Sequence, residues 1–156
     1  MLETHKNGFR FSSNKGIKVD FAYANIRSAF FQPCQDDLIV LIHFRFRAPI
    51  LIGNKKHLDV TFYQEVGNQF DDLDNKNNRR AMTDYDELEQ ERKERALRKR
   101  LNERFKLFCK DAEKFAKEEN NSEIMFDIPF ADLKFTGCHS KASVNMYPTA
   151  NFRNGH

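Results

Sequence analysis

The chain has 156 residues, with 26 Lys and Arg against 23 Asp and Glu, a formal net charge of +3, and 40% hydrophobic beside 31% charged residues. That length holds one domain of ordinary size, or one small domain plus part of another, and the hydrophobic share excludes a chain disordered throughout. The charge balance is too even for a dedicated nucleic-acid binder, no apolar run approaches the ~18 residues of a membrane span, and no leader pattern opens the sequence, so a soluble intracellular protein is expected.

In chain order, Leu2 to His5 and Phe9 to Phe11 flank Lys6-Asn7-Gly8. Asn-Gly tolerates positive φ at both positions, which predicts a hairpin. After the turn Asn14-Lys15-Gly16, Ile17, Val19, Phe21 and Tyr23 alternate with Lys18, Asp20 and Ala22, a strand with one buried face. Ser28 to Phe31 reads as a short strand stopped at Gln32-Pro33, because proline lacks the N–H a ladder needs. Leu38 to Ile42 is apolar without interruption and predicts a central strand covered on both faces. Beyond it Ile42, Phe44 and Phe46 alternate with His43, Arg45 and Arg47, so that end is half solvated. Pro49 is expected to interrupt the strand and Ile50 to Gly53 to resume it, before a polar loop Asn54 to His57 and a last strand through Val60, Phe62 and Val66.

Gly67 to Met82 is rich in Asn, Asp and Arg and reads as a loop. Thr83 with Asp86 resembles a capping box, and Leu97, Leu101, Phe105, Phe108, Ala112 and Phe115 form a helical stripe, predicting a long helix over 83–117. Only its second half carries the stripe, so its charged first half is expected in solvent. Glu118 to Glu123 is a polar break, and Ile124 opens a new apolar segment. The expected division is a sheet over 1–67, a loop over 68–82, a helix over 83–117, a linker over 118–123, and an incomplete second unit over 124–156.

Charge is unevenly spread along the chain. From Asp71 to Glu91 there are eight acids and three bases, a balance of −5; from Arg92 to Lys117 there are eleven bases and four acids, a balance of +7. The acidic set Asp71, Asp72, Asp84, Asp86, Glu87, Glu89 and Glu91, with Tyr85 among them, would attract a basic protein and discourage DNA. Arg98, Lys99 and Arg100 can serve a secondary nucleic-acid contact or belong to a solvated face held by pairs such as Glu91 with Arg95 and Glu94 with Arg98. Lys55 and Lys56, or Lys6 with Arg10, are the cations a phosphoinositide headgroup would need. Cys34, Cys109 and Cys138 form neither a zinc pattern nor a disulfide framework and are expected as free thiols in or near the core. The scattered His5, His43, His57, His139 and His156 and the missing nucleophile and phosphate-loop motifs argue against an enzyme and against any cofactor or metal.

Asn25-Ile26, Phe30 to Cys34, Leu41 to Phe44, Pro49-Ile50, Asp59-Val60, Phe62-Tyr63, Asp86 to Glu91 and Phe130 to Gly137 together resemble the middle region of the large subunit of the FACT histone chaperone. The resemblance implies tandem pleckstrin-homology-like modules: a mainly β module, with a bent antiparallel sheet capped by one long C-terminal helix, followed by the beginning of a second. It also implies a non-enzymatic, nuclear, chromatin-associated chaperone. Its partners would be core histones and nucleosomes during transcription, replication and repair, with the small FACT subunit engaged through regions outside this chain and no membrane partner. The competing expectation is a phosphoinositide- or peptide-binding adaptor of the same fold.

Overall fold

A computed structural model describes residues 1–35, 39–66, 84–120, 124–130, 133, 135–140 and 142–149. The expected loop over 68–82 lies outside the described residues. Three strands, β1 (Leu2–His5), β2 (Gly8–Ser12) and β3 (Lys18–Ala22), form an antiparallel sheet in sequence order. A short 3-10 turn, Tyr23–Asn25, carries the chain into a second sheet built from β4 (Ile26–Gln32), β5 (Ile39–Ile52) and β6 (Lys55–Glu65). One helix follows, α1 (Asp84–Asn120), then β7 (Phe126–Asp127) and a separate hairpin of β8 (Phe135–His139) and β9 (Ala142–Met146). The mainly β architecture with one long helix is as expected, resolved into two facing sheets.

The central place of β5 is also as expected: it pairs with β4 on one side and β6 on the other. Its covering differs. Val40, Ile42, Phe44 and Phe46 are buried, while Ile39 and Leu41 are only half-buried, so the two-residue alternation runs back through the apolar run. Pro49 does not end the strand. The ladder slips between Arg45 and Ile50, and Pro49 sits inside that irregularity, where no ladder bond is asked of it. The Asn25 carboxamide closes the gap, donating to the Ala48 carbonyl at 3.0 Å and accepting from its N–H at 2.8 Å.

Two turns depart from the sequence reading. The first hairpin turns at Lys6-Asn7, with His5 opposite Gly8, and neither Asn7 nor Gly8 has positive φ. Gly8 is a strand residue, needed for a different reason: a Cβ there would lie 2.0 Å from the Phe21 carbonyl oxygen. At the other turn Ile52 faces Lys55 and Gly53 has φ +61°, the arrangement of a two-residue type II′ turn. Lys55 and Lys56 are therefore strand residues at a hairpin tip rather than members of a loop.

Between the sheets lies an aromatic core centred on Phe9. Its ring stacks on Phe21 at 4.6 Å and on Phe44 at 4.7 Å, and meets the edge of Phe108 of α1 at 5.7 Å. Such geometries add to the burial of large apolar area. The helix closes this core with Leu101, Cys109, Ala112 and Ala116, all buried, while Leu97, Phe105, Phe108 and Phe115 pack as half-covered flanks. The stripe is the expected one, but small residues mark its deepest line, because only they let the helix approach the strands closely.

Asn102 fastens the same helix to the chain leaving β4. Its carboxamide donates to the Cys34 carbonyl and accepts from the Cys34 N–H, both at 2.8 Å. Asn102→Ala would leave both partly buried backbone groups without these partners, at about 1–3 kcal/mol. The expected result is a melting temperature lowered by several degrees in a calorimetric scan, at ~2–4 °C per kcal/mol for a chain of this size; an unchanged melt would show the clasp to be idle.

The helix runs to Asn120, so residues 118–120, expected as linker, are helical. The segment after it does not begin apart from the first unit. Ile124 is buried in the same core, and β7 adds to the second sheet parallel to β4, pairing Ala29 with Phe126 and Phe30 with Asp127. The Glu113 side chain of α1 accepts the Phe126 N–H at 2.9 Å, holding that strand in place. Beyond it the β8–β9 hairpin is open to solvent, with Leu133, Phe135 and Met146 exposed. Cys34 and Cys109 are buried and outside any disulfide, as expected, whereas Cys138 is exposed on β8.

Candidate functional site

The charged first half of α1 stands clear of the sheets, as expected from the stripe. Asp84, Tyr85, Asp86 and Glu87 occupy its first four positions. Asp71 and Asp72 lie outside the described residues. From Leu88 onward the outer faces are exposed and laced by one-turn ion pairs: Glu89 with Lys93 at 3.0 Å, Glu91 with Arg95 at 3.2 Å, and Glu94 with Arg98. Exposed pairs of this kind contribute only a few tenths of a kcal/mol each, but they cancel charge locally. Glu89 and Glu91 are thus not bare acids. By contrast Asp84, Asp86 and Glu87 are followed one turn later by Leu88, Gln90 and Glu91, none of them cationic.

The basic residues of the next turns separate into two kinds. Arg98 is half-buried; besides Glu94 it donates to the Gln35 carbonyl at 3.3 Å, so it ties the helix to the chain after β4. Lys99 and Arg100 are exposed. Lys55 and Lys56 are exposed at the β5–β6 tip. Arg10, the cation paired with Lys6 in the headgroup expectation, is engaged across the sheet by Asp20, with Nε–Oδ1 at 2.5 Å and Nη2–Oδ2 at 2.8 Å. The hydrogen bond from Arg10 holds the Asp20 carboxyl below its ordinary range, and the same bond raises Arg10. A fork already filled by a carboxylate is poorly disposed to grip a phosphate.

One cluster escaped the sequence reading. On the outer face of the second sheet, His43 Nδ1 lies 2.8 Å from Thr61 Oγ1 and its Nε2 lies 3.6 Å from Asp59, which is also 4.0 Å from Arg45. The alternation of β5 had placed His43 and Arg45 on one face, but their partners depend on the register with β6, which pairs His43 with Thr61 and Arg45 with Asp59. Burial pushes the Cys109 thiol up to about 12, with the Glu113 carboxylate adding to it, so this cysteine stays protonated. Burial likewise raises the Tyr23 hydroxyl to about 12, followed by the effect of Asp111. Among the described residues no group of three or more His, Cys, Asp or Glu could hold a metal ion, and no helix is long and apolar enough to cross a membrane.

Known proteins carry similar sequences. Residues 1–112 match the family described as the FACT complex subunit SPT16 PH-like domain. The chain is 42% identical over 149 residues to the FACT complex subunit spt-16 of Caenorhabditis elegans, covering 96% of this chain and 14% of that protein. It is 38% identical over 152 residues to FACT complex subunit SPT16 of Oryza sativa, again covering 96% and 14%, and 40% identical over 152 residues to that of Eremothecium gossypii, covering 93% and 14%. The chain spans 14% of the length of these relatives. A mainly β pair of sheets closed by one long helix, with a family match over its sheets and most of that helix and such identity to proteins of one name, makes this chain a member of the SPT16 PH-like domain family of the FACT complex.

Proposed function

We propose that this chain is a histone-binding module of a FACT-type chaperone: a non-enzymatic, nuclear part of the machinery that reorganises nucleosomes during transcription, replication and repair. The family match over residues 1–112 is the observation that carries the reading. Within it, the ion pairs along α1 and the helical spacing of the acids support one surface. Since Glu89 and Glu91 are neutralised by Lys93 and Arg95, the attraction for a basic partner falls to the acids without a cation one turn on, Asp84, Asp86 and Glu87, together with Asp71 and Asp72. Tyr85 among them offers an aromatic anchor of the kind enriched at interfaces. Lys55, Lys56, Lys99 and Arg100 supply a subsidiary contact to nucleosomal DNA, with Arg98 spent on the fold. Residues 1–117 act as the working module, and the β8–β9 segment opens the next one.

Binding of core histones to the purified chain, at low and at near-physiological salt, tests this. Neutralising Asp84, Asp86 and Glu87 together (to Asn and Gln) is expected to weaken capture at least tenfold, about 1.4 kcal/mol, whereas Glu89→Gln with Glu91→Gln has a smaller effect. Preference for phosphoinositide vesicles over histones, or equal losses from the two sets of substitutions, would overturn the assignment.

A further inference from the structure

The two sheets do not meet on every side. They are joined where β3 passes into β4, but on the opposite flank β1 is the outer strand of one sheet and β6 the outer strand of the other. Between these edges and the face of α1 lies a cavity of about 450 Å³, lined by Leu2, Phe11, Phe62, Tyr63, Phe105 and Phe108. Four consecutive β6 residues, Thr61 to Gln64, form one wall. Outer strands present N–H and C=O groups that no neighbour takes, and an extended chain is the ligand whose own backbone satisfies them. The volume suits a few apolar side chains of such a segment, since pockets that bury small ligands run from roughly 300 to 1,000 Å³. Charge selects further: among the described residues Arg104 stands exposed at the cavity and makes no ion pair, and none of those lining the groove is acidic.

We infer that the groove between β1 and β6 binds an extended peptide segment, added as a strand along Thr61 to Gln64, with alternate apolar side chains over Phe62, Phe105 and Phe108 and a flanking carboxylate on Arg104. This surface is separate from the acidic helix start, so it stands or falls independently of the histone reading. The probe is an acetylated peptide with valines at alternating positions, serines between them and an aspartate at each end, added to the full 156-residue chain. Bound peptide slows exchange at least tenfold at those amides of Thr61 to Gln64 that face away from β5, and the same peptide ending in lysines binds at least tenfold more weakly. Arg104→Glu, at an exposed position that leaves the core untouched, reverses that order of preference. Exchange at Thr61 to Gln64 unchanged by millimolar peptide, or affinity indifferent to the end charges, overturns the inference. So does a concentration-dependent dimer that protects the same amides without peptide, which would give the groove to a second copy of the chain.

Discussion

Gly8→Ala is expected to cost about 3 kcal/mol or more, the upper part of the range for forced overpacking and beyond. The added methyl would sit 2.0 Å from the Phe21 carbonyl oxygen and 2.9 Å from its carbon. Both are backbone atoms of the neighbouring strand, so no rotamer change relieves the clash. Relief requires prising β2 from β3, and that ladder pairs Phe9 with Phe21, two of the rings at the centre of the core. Chemical denaturation should show the midpoint displaced far toward low denaturant, or no folded baseline at all; a variant melting within about 1 °C of the parent would refute the close-approach argument.

Leu101→Ala is the second large effect. Leu101 is 2% exposed and is the largest fully buried side chain that the helix contributes. Truncation removes its transfer free energy and leaves a void in a wall otherwise made of Cys109, Ala112 and Ala116, which are too small to collapse into it. A loss of about 2–5 kcal/mol follows. Phe105→Ala supplies the comparison, because that ring is only half-buried at the groove and should cost less. If the two variants denature alike, the helix is not seated along the line the burial describes.

The elements of this fold were legible because each rests on a local pattern: two-residue alternation for β3 and β5, a helical stripe for α1, proline at the end of β4. Register was not legible, because it depends on residues far apart in sequence. Asn7-Gly8 advertised a turn, and a turn is there, but shifted by one residue, since glycine serves a close crossing at that point rather than a left-handed dihedral. Pro49 advertised a break, yet a distant carboxamide, Asn25, bridges the irregularity and the strand runs on. Ile124 advertised a new unit, while its side chain completes the old core. The candidate acidic surface was visible in composition, and the pairing of Glu91 with Arg95 in helical spacing; that Glu89 also holds a partner, Lys93, became visible only in the contacts.

Asn25 and Asn102 each hold a backbone N–H and a backbone C=O with a single side chain. A carboxylate accepts but cannot donate, so spontaneous deamidation of either residue, a change of one atom, would turn an attraction to a carbonyl into a repulsion. Loss of a single side-chain nitrogen at either asparagine would therefore loosen a seam of the fold, Asn25 joining the turn before β4 to β5 and Asn102 joining the helix to the chain leaving β4.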